Sequence, residues 1–453
     1  MKLGIVGNGS LGLFMAAAIH KADPNIEITM AGPQDRPQAA SAAAGLMLNI
    51  FSEIDAISSD LPLTKWKLQN SFKALDAWRD FFGNQGFISQ EDIFTTNKTV
   101  VYLPADSTND LEKESFRIQK AISKAYGVLD SSCDSSQLNN QLPHEPSADA
   151  AHVLLLLDNY LSDKIKFIDK SVQRLDRDGA GFRMRFTSGE YSNKFDTVIV
   201  AAGANSTSIL DNSKLHVQPS VKCFYGVGSA LNLTSELDYV ELPKINCILR
   251  SPNRGGTCGL HLVQRKNSLY VGASSVVSRH RLSKPRAGSV ATLLKGCEEE
   301  LGLATSSLRL SLEILTGYRP VTQDAVPLVG YLEDNLICCY GHKRDGFTWA
   351  PYLSGLMKSL ILGESIDSAQ KAYLDMTYPV RTFSSFGSRD KSFSLFLENE
   401  KYSRQQHGQV FSSDDQSELT RRFRILHSHP LFAESTCHPE LLNVNYSLLY
   451  NSQ

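Results

Sequence analysis

Hydrophobic and polar positions change their period within the first 22 residues of the chain. Leu3, Ile5 and Val6 form a short apolar run that is typical of a buried strand. After a glycine-rich interval, apolar side chains recur at helical spacing, at Leu11, Met15, Ala18, Ile19 and Ala22. The pattern therefore predicts a strand, a turn and a helix in that order.

The turn between them, Gly7 to Gly12, has the spacing G-x-G-x-x-G. In such a motif the first glycine permits a tight turn, the second lets the backbone approach a pyrophosphate, and the third lets the helix pack close to the strand. The phosphates bind free N–H groups at the start of the helix. An ordinary βα turn is the alternative, but the strand–turn–helix context indicates a dinucleotide site.

The second strand departs from this motif at its end. It is predicted over residues 26–30, and the motif places an acid about 20 residues after its last glycine to bind the ribose hydroxyls. Gly32 stands at that place. Either Gln34 or Asp35 reaches the ribose, or the contact is missing.

The remaining pattern predicts a mixed α/β fold. A helix over residues 64–82 would carry Leu68, Phe72, Leu75 and Phe82 on one face. Further helices are predicted over 149–161, 287–303 and from Phe347 to about residue 362, and buried strands over 196–205, which ends in small residues, and 335–340. Residues 216–280 alternate between apolar and polar positions, as in an antiparallel sheet.

Composition narrows the classes of protein. With 453 residues the chain can form two or three domains, and 46 basic residues against 48 acidic ones argue against nucleic acid or an anionic membrane as a partner. Eight scattered cysteines without a C-x-x-C pair indicate reduced thiols, and hence a cytoplasmic protein. No apolar run reaches the length of about 20 residues that a membrane-spanning helix needs.

Several motifs in the right order resemble one family. They are the glycine turn, Ser41 to Gly45, Ala201-Ala-Gly203, Tyr318-Arg-Pro320 with Asp324 and Pro327, and Gly341-His342 with Gly346 and Ala350-Pro351. Together they resemble the D-amino-acid oxidase superfamily of FAD enzymes, in particular glycine oxidase and D-amino-acid dehydrogenase. The resemblance extends to about residue 378.

The resemblance implies a discontinuous Rossmann-like FAD-binding domain of the GR2 type and a second, mostly antiparallel β substrate domain. The FAD-binding domain would comprise residues 1–82, 149–215 and 319–379. The substrate domain would comprise residues 83–148 and 216–318. Residues 380–453 would be a C-terminal extension on which the family pattern is silent.

The resemblance also implies the residues that bind FAD. The pyrophosphate would lie on the glycine turn, the flavin edge against the segment at Ser41, the adenine against the backbone of Val172, and the isoalloxazine against residues 342–347. The cofactor-binding residues would be Gly7, Gly9, Ser10, Leu11, Gly12, Ser41, Ala44, Gly45, Val172, Gly203, His342, Arg344, Asp345, Gly346 and Phe347. Independently, a helix opening at Gly346 would stabilise negative charge on the flavin, although a plain strand–turn–helix connection is the alternative.

Three residues are candidates for catalysis: Arg319, His261 and Arg344. The arginine of this family at the position of Arg319 binds the substrate carboxylate, and a guanidinium fork suits that group. The alternative is a structural arginine that pairs with Asp324. His261 stands where relatives carry a tyrosine that donates to the carboxylate; it would donate in its place, titrate, or simply pack.

The implied reaction is FAD-dependent oxidation of an amine or amino acid, in which a hydride passes from the α carbon to flavin N5 and the resulting imine hydrolyses. FAD would be non-covalent, because Gly317 stands where sarcosine oxidases attach the flavin through a cysteine. The electron acceptor would be O₂ or a quinone. Two alternatives are a flavoprotein that modifies an amine tethered to a carrier, peptide or tRNA, and a non-catalytic FAD-binding module.

The extension is predicted to be ordered. Residues 414–427 read as a helix capped by Asp414, with Leu419, Phe423 and Leu426 on one face. Ten aromatic residues argue against a disordered tail. The extension would cover apolar surface of the same chain, or bind a second subunit or a partner protein. His427, His429, Cys437 and His438 have irregular spacing, so no metal site is predicted.

Overall fold

The computed structural model describes residues 1–82, 88, 93–104, 107, 110–130, 139–235, 242, 244–253, 259–272, 274–299, 311–406 and 409–450. All statements below refer to these residues. Of the predicted features, Cys133, Cys258, residues 300–303 of the predicted helix 287–303 and much of 83–148 lie outside them.

The strands are, in chain order, β1 Lys2–Val6, β2 Glu27–Ala31, β3 Phe94–Thr96, β4 Thr99–Tyr102, β5 Asn139–Leu142, β6 Ser147–Ala148, β7 Lys166–Ile168, β8 Val172–Asp178, β9 Gly181–Phe186, β10 Thr197–Val200, β11 Cys223–Thr234, β12 Ile248–Arg250, β13 His261–Gln264, β14 Leu269–Gly272, β15 Val276–Ser278, β16 Ser311–Thr322, β17 Leu328–Glu333 and β18 Leu336–Tyr340.

The α-helices are α1 Ser10–Ala22, α2 Pro62–Gln69, α3 Ser71–Phe81, α4 Asp110–Ala125, α5 Ala150–Leu161, α6 Ser206–Asn212, α7 Ala287–Glu299, α8 Gly346–Leu362, α9 Ser368–Thr377, α10 Arg389–Gln406, α11 Ser413–Ser428 and α12 Leu442–Tyr450. Short 3-10 turns lie at Gly203–Asn205, Pro430–Phe432 and Pro439–Leu441.

One sheet of six strands has the order β17-β18-β10-β1-β2-β7. Its pairs are parallel except for the antiparallel pair β17–β18. Apolar side chains cover both faces, as parallel strands require, so Val198 and Val200 of β10 belong to one core and Ile199 to the other. Later strands pair on both sides of β1, with β10 on one side and β2 on the other. The glycine turn that follows β1 therefore lies where open α/β sheets bind ligands.

The second sheet has the order β15-β11-β14-β13-β12-β4-β5, with β16 also paired to β11. It is antiparallel apart from the pair β12–β4. The two sheets confirm the α/β fold with a Rossmann-like sheet and a mostly antiparallel one. The predicted domain boundary between residues 318 and 319 lies within β16, and the division into domains stays a prediction.

The predicted helix over residues 64–82 is wrong in one respect, because the chain forms two helices, α2 and α3, that meet at Asn70. Phe72 follows this break and is 47% exposed. Leu68, Leu75 and Phe82 are buried as predicted. A helix break changes the phase of the apolar face, so a residue that one continuous helix would bury points outward.

Residues 380–450, apart from the two at 407–408, form an ordered extension of three helices. Its buried apolar side chains share one core with β10, β17 and β18; they include Phe383, Phe396, Leu419, Leu426 and Phe432. The expectation that the extension covers apolar surface of its own chain is therefore confirmed. The cap of α11 is Ser412, not Asp414: its hydroxyl accepts from the N–H of Asp415, whose carboxylate accepts the N–H of Ser412.

His427 and His429 of the extension accept hydrogen bonds from backbone N–H groups. His427 Nε2 accepts from the N–H of Cys437 at 3.2 Å, and His429 Nδ1 accepts from the N–H of Leu431. In the described part of the chain no cluster of three metal-ligating residues is found. Among the described residues, no helix is both long and apolar enough to cross a bilayer. The cytoplasmic location stays a prediction.

Candidate active site

A cavity of about 490 Å³ lies between the two sheets and joins almost all of the predicted site residues. Those that line it are Gly7, Gly9, Ser10, Leu11, Ser41, Ala44, Gly45, Val172, Gly203, His261, Arg319, His342, Arg344, Asp345, Gly346 and Phe347. Gly12 does not line it and instead lies beneath the turn.

The glycine turn forms one wall of this cavity. Gly7 has a φ of +108°, which favours glycine, and a Cβ on Gly12 would lie 2.0 Å from the carbonyl oxygen of Gly7. Helix α1 begins at Ser10 with no capping side chain at Gly9 in the described structure. Its first N–H groups are therefore open to the cavity, and this arrangement fits a pyrophosphate.

At the end of β2, the structure agrees with the second of the two alternatives, in which the contact from Gln34 or Asp35 is missing. Gln34 and Asp35 are exposed and neither lines the cavity. The side chain of Asn8 occupies the space beside Gly32, where its Nδ2 donates to the carbonyl of Pro33 at 2.8 Å. Arg36 donates to the carbonyl of Asn8 at 2.7 Å and pairs with a carboxylate of α5. An amide and a guanidinium therefore line this part of the cavity, where the sequence motif would place the ribose, and the sequence pattern identified neither.

The small residues at Ser41–Gly45 are held by the antiparallel sheet. Tyr270 donates its hydroxyl to the carbonyl of Ala43 at 3.2 Å, and Arg265 donates to the carbonyl of Ala44 at 2.6 Å. Tyr270 also lines the cavity. Tyr270 lies on β14, and His261 lies on the neighbouring strand β13. The two residues come close because these strands pair, which their spacing in the sequence does not reveal.

His261 is buried and lies 5.8 Å from the ring centroid of Tyr270. Its Nδ1 is 3.1 Å from the carbonyl oxygen of Gly259, so Nδ1 carries the proton that is donated. Burial, together with the charges of Arg250 and Arg319, lowers the pKa of His261 to about 3. The ring is therefore neutral at physiological pH, and Nε2 is an acceptor.

Arg319 lies on β16, and its guanidinium donates to the backbone carbonyl of Ser274. The alternative in which Arg319 pairs with Asp324 is wrong. The carboxylate of Asp324 binds Arg381 of the extension, with Nη2 at 2.9 Å from both oxygens.

Arg344 belongs to a largely buried ionic cluster with Glu53 and Arg250. Arg250 is completely buried and donates to Glu53 at 2.8 Å, whereas Arg344 Nε lies 3.4 Å from the other carboxylate oxygen. Burial raises the pKa of Glu53, but the two arginines outweigh it and hold the pKa well below its usual value. Glu53 also lines the cavity. Glu53 and Arg250 lie 197 residues apart, so no sequence motif joins them.

The turn before α8 forms the far wall. His342 Nε2 lies 3.1 Å from the hydroxyl of Tyr373, and burial lowers the pKa of His342 to about 3. Its Nδ1 is buried without a hydrogen-bond partner in the described structure. Asp345 pairs with Lys67 beside the first turn of α8. An orphaned polar atom at a helix N-terminus fits a bound heterocycle with polar edges.

Comparisons with known proteins agree with this geometry. The family model described as "FAD dependent oxidoreductase" (DAO) matches residues 2–360. No curated protein sequence is significantly similar to the chain.

Solved structures share the fold. Iminodiacetate oxidase from Chelativorans sp. BNC1 is 18% identical, with a TM-score of 0.63 over 83% of this chain and 99% of that one. Glycine oxidase from Geobacillus kaustophilus is 18% identical, with a TM-score of 0.62 over 84% of this chain and 99% of that one. L-α-glycerophosphate oxidase from Mycoplasma pneumoniae, solved with FAD bound, is 13% identical, with a TM-score of 0.60 over 80% and 94%.

The family match covers more than half of the chain and confirms the resemblance seen in the sequence. The chain belongs to the DAO family of FAD-dependent oxidoreductases.

Proposed function

We propose that the protein oxidises the C–N bond of a small amine or amino acid. The observation that carries this proposal is the meeting of Arg319 and His261 with the glycine turn around one cavity. The printed names of two structural neighbours, glycine oxidase and iminodiacetate oxidase, indicate amine substrates in those proteins and support the same class here.

FAD would bind along the cavity through the residues that line it. The pyrophosphate would accept hydrogen bonds from the N–H groups at Gly9–Leu11, and the segment Ser41–Gly45 would lie against the flavin edge. Residues His342–Phe347 would flank the isoalloxazine. FAD is proposed to be non-covalent, because Gly317 offers no side chain for attachment. When bound, FAD supplies the chemistry by accepting a hydride from the carbon next to the amine nitrogen.

Arg319 would bind the substrate carboxylate. A guanidinium presents parallel N–H donors that match a carboxylate, and a wall of low dielectric strengthens such a charge-assisted contact. The role of this residue is to fix the substrate so that its α carbon faces the flavin.

His261 has a different role from the tyrosine that relatives carry at this position. A tyrosine hydroxyl donates to the carboxylate, but the neutral His261 ring already uses its proton on the carbonyl of Gly259. Nε2 would instead accept a hydrogen bond from the substrate amine. With a pKa of about 3, the His261 ring is neutral at neutral pH, so its Nε2 carries no proton and can position the free amine.

Arg344 would place a positive charge at the edge of the cavity. Glu53 and Arg250 would fix the position of that charge. Because Glu53 binds both arginines and Arg344 also donates to Asn253 at 3.3 Å, the guanidinium of Arg344 has little freedom to move when substrate enters. A fixed charge can stabilise a developing negative charge without a cost of reorganisation.

The test is reduction of the bound flavin under anaerobic conditions by a panel of D- and L-amino acids, glycine, N-substituted glycines and plain amines. Bleaching of the flavin by amino acids but not by matched hydroxy acids supports the proposal. Bleaching only by an amine on a carrier, peptide or tRNA would support a tethered substrate. A yellow protein that no amine reduces would support a non-catalytic module. Readmitting O₂ or a quinone to the reduced protein identifies the electron acceptor.

A further inference from the structure

We propose that Glu440, in the C-terminal extension, is a positioning residue of the active site: it holds the turn at Lys343 against the cavity and balances the charge of that lysine. The inference rests on the proposed function, because it assumes that residues 342–347 flank the flavin. The family match ends at residue 360, so Glu440 belongs to a part of the chain beyond the family pattern.

The contact that carries the inference is a partly buried ion pair. The ammonium of Lys343 pairs with the carboxylate of Glu440. The side chain of Lys343 is 21% exposed and that of Glu440 is 6% exposed. Lys343 lines the cavity between His342 and Arg344. Because this pair is shielded from water, salt screens it little and its charge balance is felt inside the cavity.

The backbone of Lys343 needs such support. Its φ is +51°, a left-handed conformation that a lysine adopts at a cost. The N–H of Lys343 donates to the carbonyl of Pro320 at 2.9 Å, and His342 forms a bridge with Val321. A strained turn persists only when its surroundings over-determine it, and Glu440 is one of those determinants.

The extension also contacts the residues that follow β16. Asn445 of α12 donates to the carbonyl of Gln323 at 3.1 Å, and Arg381 binds Asp324. Both partners follow β16, the strand that carries Arg319. The extension therefore contacts Lys343, which lines the cavity, and Gln323 and Asp324, which directly follow the cavity-lining strand β16.

Charge is the property that separates this role from plain packing. A flavin becomes negative on reduction, and an ammonium nearby stabilises that negative charge. In the wild-type protein Glu440 offsets the charge of Lys343. Glu440→Gln would retain the shape of the side chain and leave the ammonium uncompensated beside the ring.

The experiment compares Glu440→Gln with Glu434→Gln, a change at an exposed residue of the same extension. Affinity for oxidised FAD is measured by titration, and the midpoint potential of the bound flavin by equilibration with a redox dye. For Glu440→Gln we expect affinity for oxidised FAD within about threefold of wild type and affinity for reduced FAD about fivefold tighter, hence a more positive potential. Glu434→Gln is expected to change neither.

Variants of Lys343 provide a second test of the same ion pair, so that the result does not depend on the folding of one variant. Lys343→Met removes the cation that the carboxylate of Glu440 binds, leaving only weaker influences such as that of Arg344, and is expected to move the potential in the negative direction. The double variant Lys343→Met/Glu440→Gln carries neither charge and is expected to return the potential to near the wild-type value.

An effect of Glu440→Gln that is the same with and without Lys343, or a potential no different from that of Glu434→Gln, would overturn the inference while leaving the proposed function intact. Wild-type protein that binds no FAD would overturn both.

Discussion

The guanidinium of Arg381 binds both carboxylate oxygens of Asp324 at 2.9 Å and reaches the backbone carbonyl of Val326 at 2.7 Å. The two residues lie 57 positions apart, and their side chains are 8% and 0% exposed. This pair joins the first residues of the extension to the loop that follows β16, the strand that carries Arg319.

Removing Arg381 is expected to destabilise the protein. Arg381→Gln leaves the buried carboxylate of Asp324 without its partner, and breaking a buried pair in this way costs about 3–5 kcal/mol. The free energy of unfolding, measured with urea, should fall by about that amount. Arg424→Gln, at an exposed position of α11, is the control and should change it by less than about 0.5 kcal/mol. Equal effects of the two changes would contradict the importance of the pair.

Arg319→Met should abolish turnover of carboxylated amines while FAD stays bound. The lost charge-assisted contact is worth about 2–5 kcal/mol, so kcat/KM should fall by about 30-fold or more. FAD absorbance and the rate of reduction by each amine are the measurements. An amine without a carboxylate, if the enzyme accepts one, is the internal control. Unchanged kinetics with every carboxylated amine would show that Arg319 has another role.

Gly32→Glu should weaken FAD binding, although an acid at this position commonly strengthens it. A Cβ on Gly32 would lie 2.5 Å from Oδ1 and 3.2 Å from the backbone nitrogen of Asn8. The new side chain must therefore displace Asn8, whose amide walls the ribose side. We expect the Kd for FAD to rise about tenfold in a titration. Gly189→Glu, at a turn with open space around it, is not a matched control because the φ of Gly189 is +90°. Gly32→Ala is therefore the steric control, and it should weaken FAD binding less than Gly32→Glu does. Tighter binding by Gly32→Glu would show that Asn8 moves freely.

Stability should fall as the pH drops below about 6.5. Burial lowers the pKa of His438 to about 4, so between pH 4 and 6.5 the unfolded chain binds a proton that the folded chain excludes. Buried His261 and His342 act in the same direction, each with a pKa of about 3. For His438 alone, the loss between pH 7.5 and 5.5 is about 1 kcal/mol. Urea unfolding of wild type and His438→Gln at both pH values measures it. A difference between the two pH values that is as large in the variant as in wild type would contradict this assignment.

Truncation after Pro379 should lower the melting temperature and the solubility. The extension buries Phe383, Phe396, Leu419, Leu426 and Phe432 against the strands of the six-stranded sheet, and its removal exposes the facing apolar surface. Calorimetry of the truncated chain and limited proteolysis of the intact one are the measurements. An unchanged melting temperature, with rapid cleavage throughout residues 380–450 of the intact chain, would show that the extension is only a tether.

Local patterns predicted the parts of this molecule that local physics controls. The strand–turn–helix at Gly7 and the burial of Leu68 follow from hydrophobic spacing and glycine geometry within a few residues. The break at Asn70 was missed because Leu68 and Leu75 fit one continuous helix as well as two.

Contacts between distant segments account for the rest. Asn8 fills the place beside Gly32, and the pairing of Lys343 with Glu440 joins residues 97 positions apart. A charged residue has many possible partners in a chain of this length, and only the folded chain selects one. The role proposed for His261 likewise depends on a carbonyl two residues away, whose direction the sequence does not state.

The order of strands in the six-stranded sheet has a consequence for how the protein comes into being. β1 leaves the ribosome long before its neighbour β10, which begins at Thr197, and before the next strand, β18, which begins at Leu336. Pairing across such long separations is slow, and until it occurs the apolar first strand has an open edge. The cofactor cleft is therefore completed late in folding. A nucleotide can stabilise only chains that are already nearly complete, so it would select finished molecules and would not guide their assembly.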